Sequence, residues 1–315
     1  MATTPGDATG SAVPDRDLIG ILDPRRVLIF RQIARSGSLS AAARTLGWTQ
    51  PAIGQHMRRL ERDAGQPLII RTSSGVSLTE AGRGLLRHAD ALASRLTLAE
   101  TELAALADLR AGRLRIAAFP SAAAILAPAL MTDLNRDHPG VDVRLIEPEP
   151  PEAERLLRGG DCDLALVFDY APRKASDTDL SIFEICRDPM RAVLPLTHPL
   201  AAAGDISLSQ LSSERWTAGC PKCREQLLHA ADRAGFVPDI RHNTDDYVVA
   251  QNLVAAGLTV ALLPQLALEA HRNPAVSLVK VRDVNERSVR ALTVAGAEDV
   301  PAISSALRVL KARFG

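Results

Sequence analysis

The sequence is poor in several things that would narrow its class. No apolar run approaches the roughly 20 residues needed to cross a bilayer, so no helical membrane span is present in the sequence and no membrane partner is expected. Cysteine is scarce: Cys162, Cys186, Cys220 and Cys223 are too few for a disulfide scaffold in a chain of 315 residues and point to a reducing, cytoplasmic setting. Lysine is absent before Lys174, so the strong positive charges ahead of it are guanidinium groups, which grip phosphate in a bidentate way. Signatures of catalysis are missing too. There is no P-loop, no GxGxxG after a strand, no GxSxG elbow and no HExxH, so neither an enzyme nor a cofactor is expected, although seven histidines leave room for a base. The opening MATTPGDATGSAVPDRD lacks a basic start and an apolar core. It is not a secretory signal, and residues 1–22 are expected to be a disordered tail.

What is present is a strong charge asymmetry hidden in a formal net charge of zero. Between Pro24 and Arg95 twelve arginines face only Glu61, Asp63, Glu80 and Asp90, a surplus of eight positive charges balanced by the acidic remainder. A basic module joined to an acidic body fits a polyanionic partner at one end. Within that module, Leu39, Ala42, Ala43 and Leu46 repeat at helical spacing after Ser38 or Ser40, either of which can cap. After Gly47-Trp48, Thr49 is the expected cap of a second helix with Pro51 in its first turn. Ile53, Met57, Leu60 and Ala64 share one side of it. Pro51, Gln55, Arg58 and Arg62 share the other, with Arg59 at the edge. An alanine pair that admits a close second helix, and a second helix with amide and guanidinium groups outward, describe a helix-turn-helix reading a major groove.

The flanks extend this reading. Asp23-Pro24 starts a helix whose core face is Val27, Phe30 and Ala34, leaving Leu28 and Ile29 as dimer contacts. Residues 67–79 read as two short strands about a Ser73-Ser74-Gly75 turn, the wing of a winged helix-turn-helix, with Arg71 placed to reach a phosphate or the minor groove. Thr79 caps a long helix lasting to about Arg110. Leu85, Ala89, Leu92, Leu96, Ala99, Leu103 and Leu106 alternate steps of four and three along it, an a/d seam that pairs with a second copy. From Arg113 the pattern becomes strand, helix, strand, helix, strand, repeated after Pro189, so two α/β lobes with parallel sheets and a ligand cleft are expected.

Taken together, Phe30, Gly37-Ser38-Leu39-Ser40-Ala41-Ala42-Ala43, Leu46, Thr49-Gln50-Pro51-Ala52-Ile53, Met57, Leu60-Glu61, Leu68, Arg71 and Leu78-Thr79-Glu80-Ala81-Gly82 resemble the N-terminal domain of LysR-type transcriptional regulators. Leu126-Ala127-Pro128, His138-Pro139, Asp163-Leu164-Ala165, His198-Pro199-Leu200 and the run 253–264 resemble that family's effector domain. The resemblance implies a winged helix-turn-helix over 23–82, a dimerising linker helix over 79–110, and a two-lobed, periplasmic-binding-protein-like effector domain over 113–315. Lobe I would comprise 113–187 and 292–315, and lobe II 188–291, with crossings near 187–189 and 290–292. The partners it implies are double-stranded promoter DNA, further copies of the chain as a dimer or tetramer, a small-molecule effector and RNA polymerase.

Site residues follow from both readings. For DNA they are Thr49, Gln50, Pro51, Gln55, Arg58 and Arg71, with the glutamines on base edges and the arginines mainly on phosphates. Gly54 and Gln55 depart from the resemblance, which places Ser or Thr and a basic residue there. For the effector they are Ser121, whose hydroxyl at a helix start suits a carboxylate or simply caps, and Phe168, Cys220 and Thr244 at strand ends facing the cleft. Cys220-Pro-Lys-Cys223 is read as a dithiol switch, half a metal site or an ordinary cleft loop. The helix start and Lys222 would lower a thiol pKa, whereas zinc lacks a second Cys/His pair, His229 being the nearest further ligand. A redox- or metal-responsive regulator acting through Cys220 and Cys223 is therefore the alternative mechanism.

Overall fold

The structure, a computed structural model, describes residues 22–72, 75–107, 112–170 and 179–315. All of the expected tail except Leu22 lies outside them, as do Ser73 and Ser74 of the wing turn, residues 108–111 at the end of the linker helix, and the side chain of Leu106. The chain forms two compact units, Met1–Ala93 and Ser94–Gly315.

The first unit is built on three helices and a hairpin. Helix α1 (Pro24–Ser36) starts where Asp23 accepts from the Arg25 N–H at 2.9 Å, and it buries Val27, Ile29, Phe30 and Ile33. Ile29, expected outside with Leu28, is thus core, because α1 is covered on two sides by its neighbours; Ala34 is only half-buried. Helix α2 (Leu39–Leu46) is capped by Ser38, whose hydroxyl accepts from the Ala41 N–H at 3.1 Å. Ala42 and Ala43 are buried, which lets α3 (Gln50–Asp63) approach and insert Ile53, Met57 and Leu60. Leu46 is exposed at 36%, off the packing face it was expected to share.

Strands β1 (Ile69–Thr72) and β2 (Gly75–Leu78) form the antiparallel wing. Three contacts fix its position. The Glu61 carboxylate of α3 accepts from the backbone N–H groups of Leu68 (2.9 Å) and Ile69 (3.3 Å). The Val76 N–H donates to the Gly37 carbonyl at 2.8 Å, and a Cβ on Gly75 would meet that carbonyl oxygen at 2.4 Å. Thr79 donates to the Pro67 carbonyl and accepts from the Gly82 N–H, both at 2.9 Å, starting α4 (Glu80–Ala107) against the wing. A Cβ on Gly82 would lie 2.1 Å from the Leu68 carbonyl oxygen, so only glycine permits this approach.

The leucine seam on α4 divides into two. Ala89 is fully buried in the core of the first unit and Leu85 and Leu92 pack on it, so these three serve the protomer. Leu96 (45%), Leu103 (66%) and Ala99 are exposed.

The second unit has two sheets. In lobe I, β3 (Gly112–Ala118), β4 (Val141–Ile146) and β5 (Leu164–Asp169) are parallel, with α5 (Pro120–Asp137) and α6 (Pro150–Arg158) between them. The sheet is completed by β6 (Leu180–Asp188), and a strand from late in the chain lies antiparallel between β5 and β6, giving a mixed sheet where a parallel one was expected. Alternation along β5 explains the layers: Leu164, Leu166 and Phe168 face one core with α5, and Ala165 and Val167 face the other with α6.

Lobe II is a six-stranded mixed sheet of β7 (Met190–Pro195), β8 (Asp205–Ile206), β9 (Arg215–Ala218), β10 (Asp239–Asn243), β11 (Val260–Pro264) and β12 (Val276–Val281). It is covered by α7 (Pro221–Arg233), α8 (Tyr247–Ala255) and α9 (Gln265–Ala270). The chain then returns to lobe I as β13 (Arg287–Val294) and closes with α10 (Pro301–Phe314). The outgoing crossing is Pro189 alone, between β6 and β7. The return lies at residues 282–286, not near 290–292, because β13 pairs with β6 from Arg287 onward; lobe I therefore resumes at 287.

Gly82→Ala should destabilise the first unit by about 1–3 kcal/mol through backbone overlap. Gly84→Ala on the same helix, where a Cβ meets only the end of Arg87 at 4.0 Å, should be neutral or slightly stabilising. Urea unfolding followed by Trp48 fluorescence in a Trp216→Phe background reads the first unit; equal effects of the two substitutions would remove the close-approach constraint.

Candidate functional site

The outer face of α3 carries the residues expected to meet DNA. Thr49 occupies the N-cap position, but its hydroxyl makes no cap bond and is exposed, a correction to its expected role. Gln50 is exposed at the first helical residue, and its side-chain oxygen accepts from the Ser40 hydroxyl at 3.0 Å, which positions its amide. Pro51, Gln55, Arg58 and Arg59 are exposed, as is Arg71 on β1. Gly54 is buried, and a Cβ there would sit 3.5 Å from an Arg58 guanidinium nitrogen, so the missing side chain leaves Arg58 room to fold across α3.

Ion pairing divides the arginines of this unit into two groups. Arg26 pairs with Asp63 (2.5 Å), Arg31 with Asp90 (2.7 Å), Arg35 with Asp90 (3.4 Å), and Arg25 lies 5.0 Å over the Trp48 ring. Among the described residues, Arg44, Arg58, Arg59, Arg62 and Arg71 have no carboxylate within ion-pair distance. A surface of uncompensated, exposed guanidinium groups along α2, α3 and the wing has the electrostatics that attract a polyanion.

The second site lies between the lobes, at the two crossings. Asp188 ends β6 and Arg287 begins β13, directly opposite in register, and the Arg287 Nε donates to Asp188 at 2.7 Å with both side chains at most 1% exposed. The other Asp188 oxygen accepts from the Leu266 N–H at 3.0 Å, at the start of α9 in lobe II. The Phe119 and Phe168 rings flank the guanidinium at 4.8 and 4.6 Å, and Nη2 donates to the Ser121 hydroxyl at 2.5 Å. Burial is the largest single influence on Arg287 and opposes its charge, but Asp188, Tyr247 and Tyr170 together outweigh it and the pKa lies above the usual value. Nη1 is buried with no hydrogen-bond partner, a donor in want of an acceptor.

Around this cation stand the hydroxyls of Tyr170 and Tyr247, the thiols of Cys220 and Cys223, and the Glu149 carboxyl. Burial pushes Tyr247 up to about 12 and raises Glu149 above the usual carboxylate range. A cavity of about 20 Å³ lies here, lined among others by Glu149, Cys220, Cys223, Thr244 and Tyr247. That is room for about one water, so anything of metabolite size requires the lobes to part.

The predicted effector residues are brought together with qualifications. Ser121 is fully buried, is the second residue of α5 rather than its N-cap, and its hydroxyl is engaged by Arg287. Phe168 is 1% exposed and forms a wall behind Arg287. Cys220 and Thr244 line the cavity. Lys222 does not act on the thiols as expected: its ammonium donates to Asp169 (2.5 Å) and to the Phe168 carbonyl (2.7 Å) of lobe I. Among the described residues no group of three or more His, Cys, Asp and Glu side chains could hold a metal ion, so the half-site reading of Cys220-Cys223 finds no completing ligands. Sequence reasoning missed Asp188, Arg287, Tyr170, Tyr247 and Glu149, which stand far apart along the chain and carry no local motif.

Comparison with known proteins agrees with this division. Residues 24–83 match the family model described as bacterial regulatory helix-turn-helix protein, lysR family, and residues 107–315 match the LysR substrate binding domain. The HTH-type transcriptional regulator TtuA of Agrobacterium vitis is 30% identical over 260 residues, covering 81% of this chain and 84% of that protein. Among solved structures, full-length OxyR from Pseudomonas aeruginosa superposes with a TM-score of 0.68 at 22% identity, covering 92% of this chain and 95% of that one. Full-length CbnR complexed with its target DNA gives 0.60 at 20% identity, covering 92% of this chain and 99% of that one.

Arg58→Ala and Arg71→Ala should each reduce the slope of log K against log salt for duplex DNA by about 0.9, measured by fluorescence anisotropy, while Arg26→Ala should leave the slope unchanged. Asp188→Ala leaves the Arg287 charge buried without its partner and should cost about 3–5 kcal/mol in urea unfolding followed by Trp216 fluorescence; Asp188→Ala with Arg287→Met should recover most of it.

Proposed function

Because the chain belongs to the LysR family of transcriptional regulators, with a helix-turn-helix DNA-binding domain and an effector-binding domain, we propose that it binds a two-fold related promoter site as a dimer and changes that binding when a small anion enters the cleft. The observation that carries the DNA half is the set of unpaired guanidinium groups on α3 and the wing, beside Arg26, Arg31 and Arg35 of α1, which are neutralised internally. Gln50 and Gln55 read base edges in the major groove, with Thr49 and Pro51 at the start of the reading helix, while Arg58 and Arg71 hold phosphates. CbnR has been captured on its target DNA, which supports the same use of this domain here.

Dimerisation uses the outward part of the linker stripe, Leu96, Ala99 and Leu103, which no core in the described chain covers. Two copies then present recognition helices roughly 34–36 Å apart, one turn of DNA, and pairs of dimers assemble as tetramers. The effector is a small carboxylate-type anion that satisfies Arg287 Nη1, assisted by the hydroxyls of Tyr170 and Tyr247. The protein acts in the cytoplasm as a regulator rather than as an enzyme, with RNA polymerase as a downstream partner.

Footprinting on the promoter beside its own gene tests this reading. Wild type should protect two half-sites one helical turn apart, sharply against excess competitor DNA, and candidate carboxylates should shift the pattern. Leu103→Glu should lose the paired footprint and sediment as a monomer. A smear at every salt concentration, or a paired footprint that survives Leu103→Glu together with Leu96→Glu, would overturn it.

A further inference from the structure

Cys220 and Cys223 form the lobe II side of the cleft, and a plain ligand pocket has no need of them. Cys220 is the N-cap of α7 and its sulfur accepts from the Cys223 N–H at 3.4 Å. The two sulfurs stand 2.9 Å apart as free thiols. A disulfide needs about 2.05 Å, so closing the bond asks for a shift of about 1 Å, well within a rotamer adjustment. Gly219 permits the approach, since a Cβ there would meet the Cys223 Cβ at 3.3 Å.

The electrostatics favour one ionised thiol in the pair. The Cys220 S–H donates to Cys223 and, with the Arg287 cation and the Tyr170 hydroxyl, holds Cys223 below the usual thiol range against the opposing effect of burial. Sharing that bond, with burial and the charge of Cys223, pushes Cys220 up. The other two cysteines are set apart by burial, which raises Cys162 to about 12 and Cys186 to about 11. Thiolate character is therefore concentrated at one place.

The same helical turn joins the lobes. Lys222, between the two cysteines, is tied to Asp169 and the Phe168 carbonyl of lobe I, and the Tyr170 hydroxyl lies 3.7 Å from the Cys223 sulfur. The adjoining cavity of about 20 Å³ has room for about one water and excludes metabolites in this closed arrangement, so only the smallest oxidants can reach the sulfurs, and only with a slight opening.

We propose that Cys220 and Cys223 are a redox-active pair, oxidised to a disulfide by a small hydroperoxide, and that the disulfide loosens the contact between the first turn of α7 and the end of β5. The Cys223 thiolate attacks the outer peroxide oxygen; the O–O bond breaks, a sulfenic acid forms, and the alkoxide or hydroxide leaves with a proton from solvent or from Glu149. The Cys220 sulfur then attacks the Cys223 sulfur, releasing water and its own proton to that leaving oxygen. The dithiol loses two electrons and the hydroperoxide gains them. A cellular dithiol reductant reverses the step by exchange. The regulatory consequence, though not the chemistry, rests on the reading of the cleft as the sensing site.

The test uses the full-length protein with one equivalent of hydrogen peroxide, rapid alkylation and peptide mass spectrometry. Cys220 and Cys223 should become linked on the order of tenfold or more faster than Cys186 or Cys162 is modified. Cys220→Ser should accumulate a dimedone-trapped sulfenic acid on Cys223, and Cys223→Ser should remove the fast phase; unfolding midpoints verify that both variants are folded. Equal rates at all four cysteines, or no dimedone adduct in Cys220→Ser, would overturn the chemistry. Hydrogen exchange of the first α7 turn and of residues 168–170 should increase on oxidation. A disulfide that leaves exchange unchanged would overturn the loosening. An oxidant-induced footprint shift lost in Cys223→Ser, with no response to carboxylates, would separate this proposal from the anion-effector reading.

Discussion

The buried Asp188–Arg287 pair is the constraint on which the effector-binding unit depends. Removing two charges from water costs several kcal/mol per ion, and only close partners offset it. Here they are supplied from four directions: a strand-to-strand ion pair, the Leu266 N–H of lobe II, the Ser121 hydroxyl of α5, and two phenyl faces. Each partner belongs to a different element, so satisfying the pair forces both crossings, the start of α5 and the start of α9 to one point. The one donor left over, Nη1, is the feature on which the proposed anion site rests.

The DNA-binding unit solves a related problem in the opposite way. Its arginines would repel one another, and on α1 Arg26, Arg31 and Arg35 are paired with Asp63 and Asp90, which orient that helix against α3 and α4. Those on α3 and the wing are left uncompensated at the surface, where solvent screens them until a polyanion arrives. Backbone contacts keep this charged face in register: Glu61 holds the wing to α3, and Gly75 and Gly82 bring chain to chain at distances no other residue permits. Local order at the basic face therefore comes from carboxylate and glycine positions set behind it.

Much of this organisation is legible from periodicity. The two helices of the reading motif, the wing and the linker helix follow from apolar spacing and cap residues, and their bounds in the structure differ by only a few residues. Strands β6, β8, β10 and β12 escaped notice. The polar β10 lies at a sheet edge where no alternation is required, and β6, also an edge strand, alternates only weakly. The leucine seam misled in part because a stripe of the right period is equally suited to a neighbour within the chain: Ala89 turned inward while Leu103 did not. Ser121 and Lys222 stand out in sequence through the chemistry of a helix start, whereas their partners, Arg287 and Asp169, come from strands distant in sequence.

The sequence by itself determined what depends on neighbours within a turn or two: which segments are helical, which face of α3 is polar, and that two cysteines share one helix start. Tertiary structure alone decided which charges are spent inside the protein and which remain for a ligand. A guanidinium reads the same in every sequence. Whether it is buried against an aspartate nearly a hundred residues away, as Arg287 is, or left in water, as Arg58 is, depends on how the chain returns on itself.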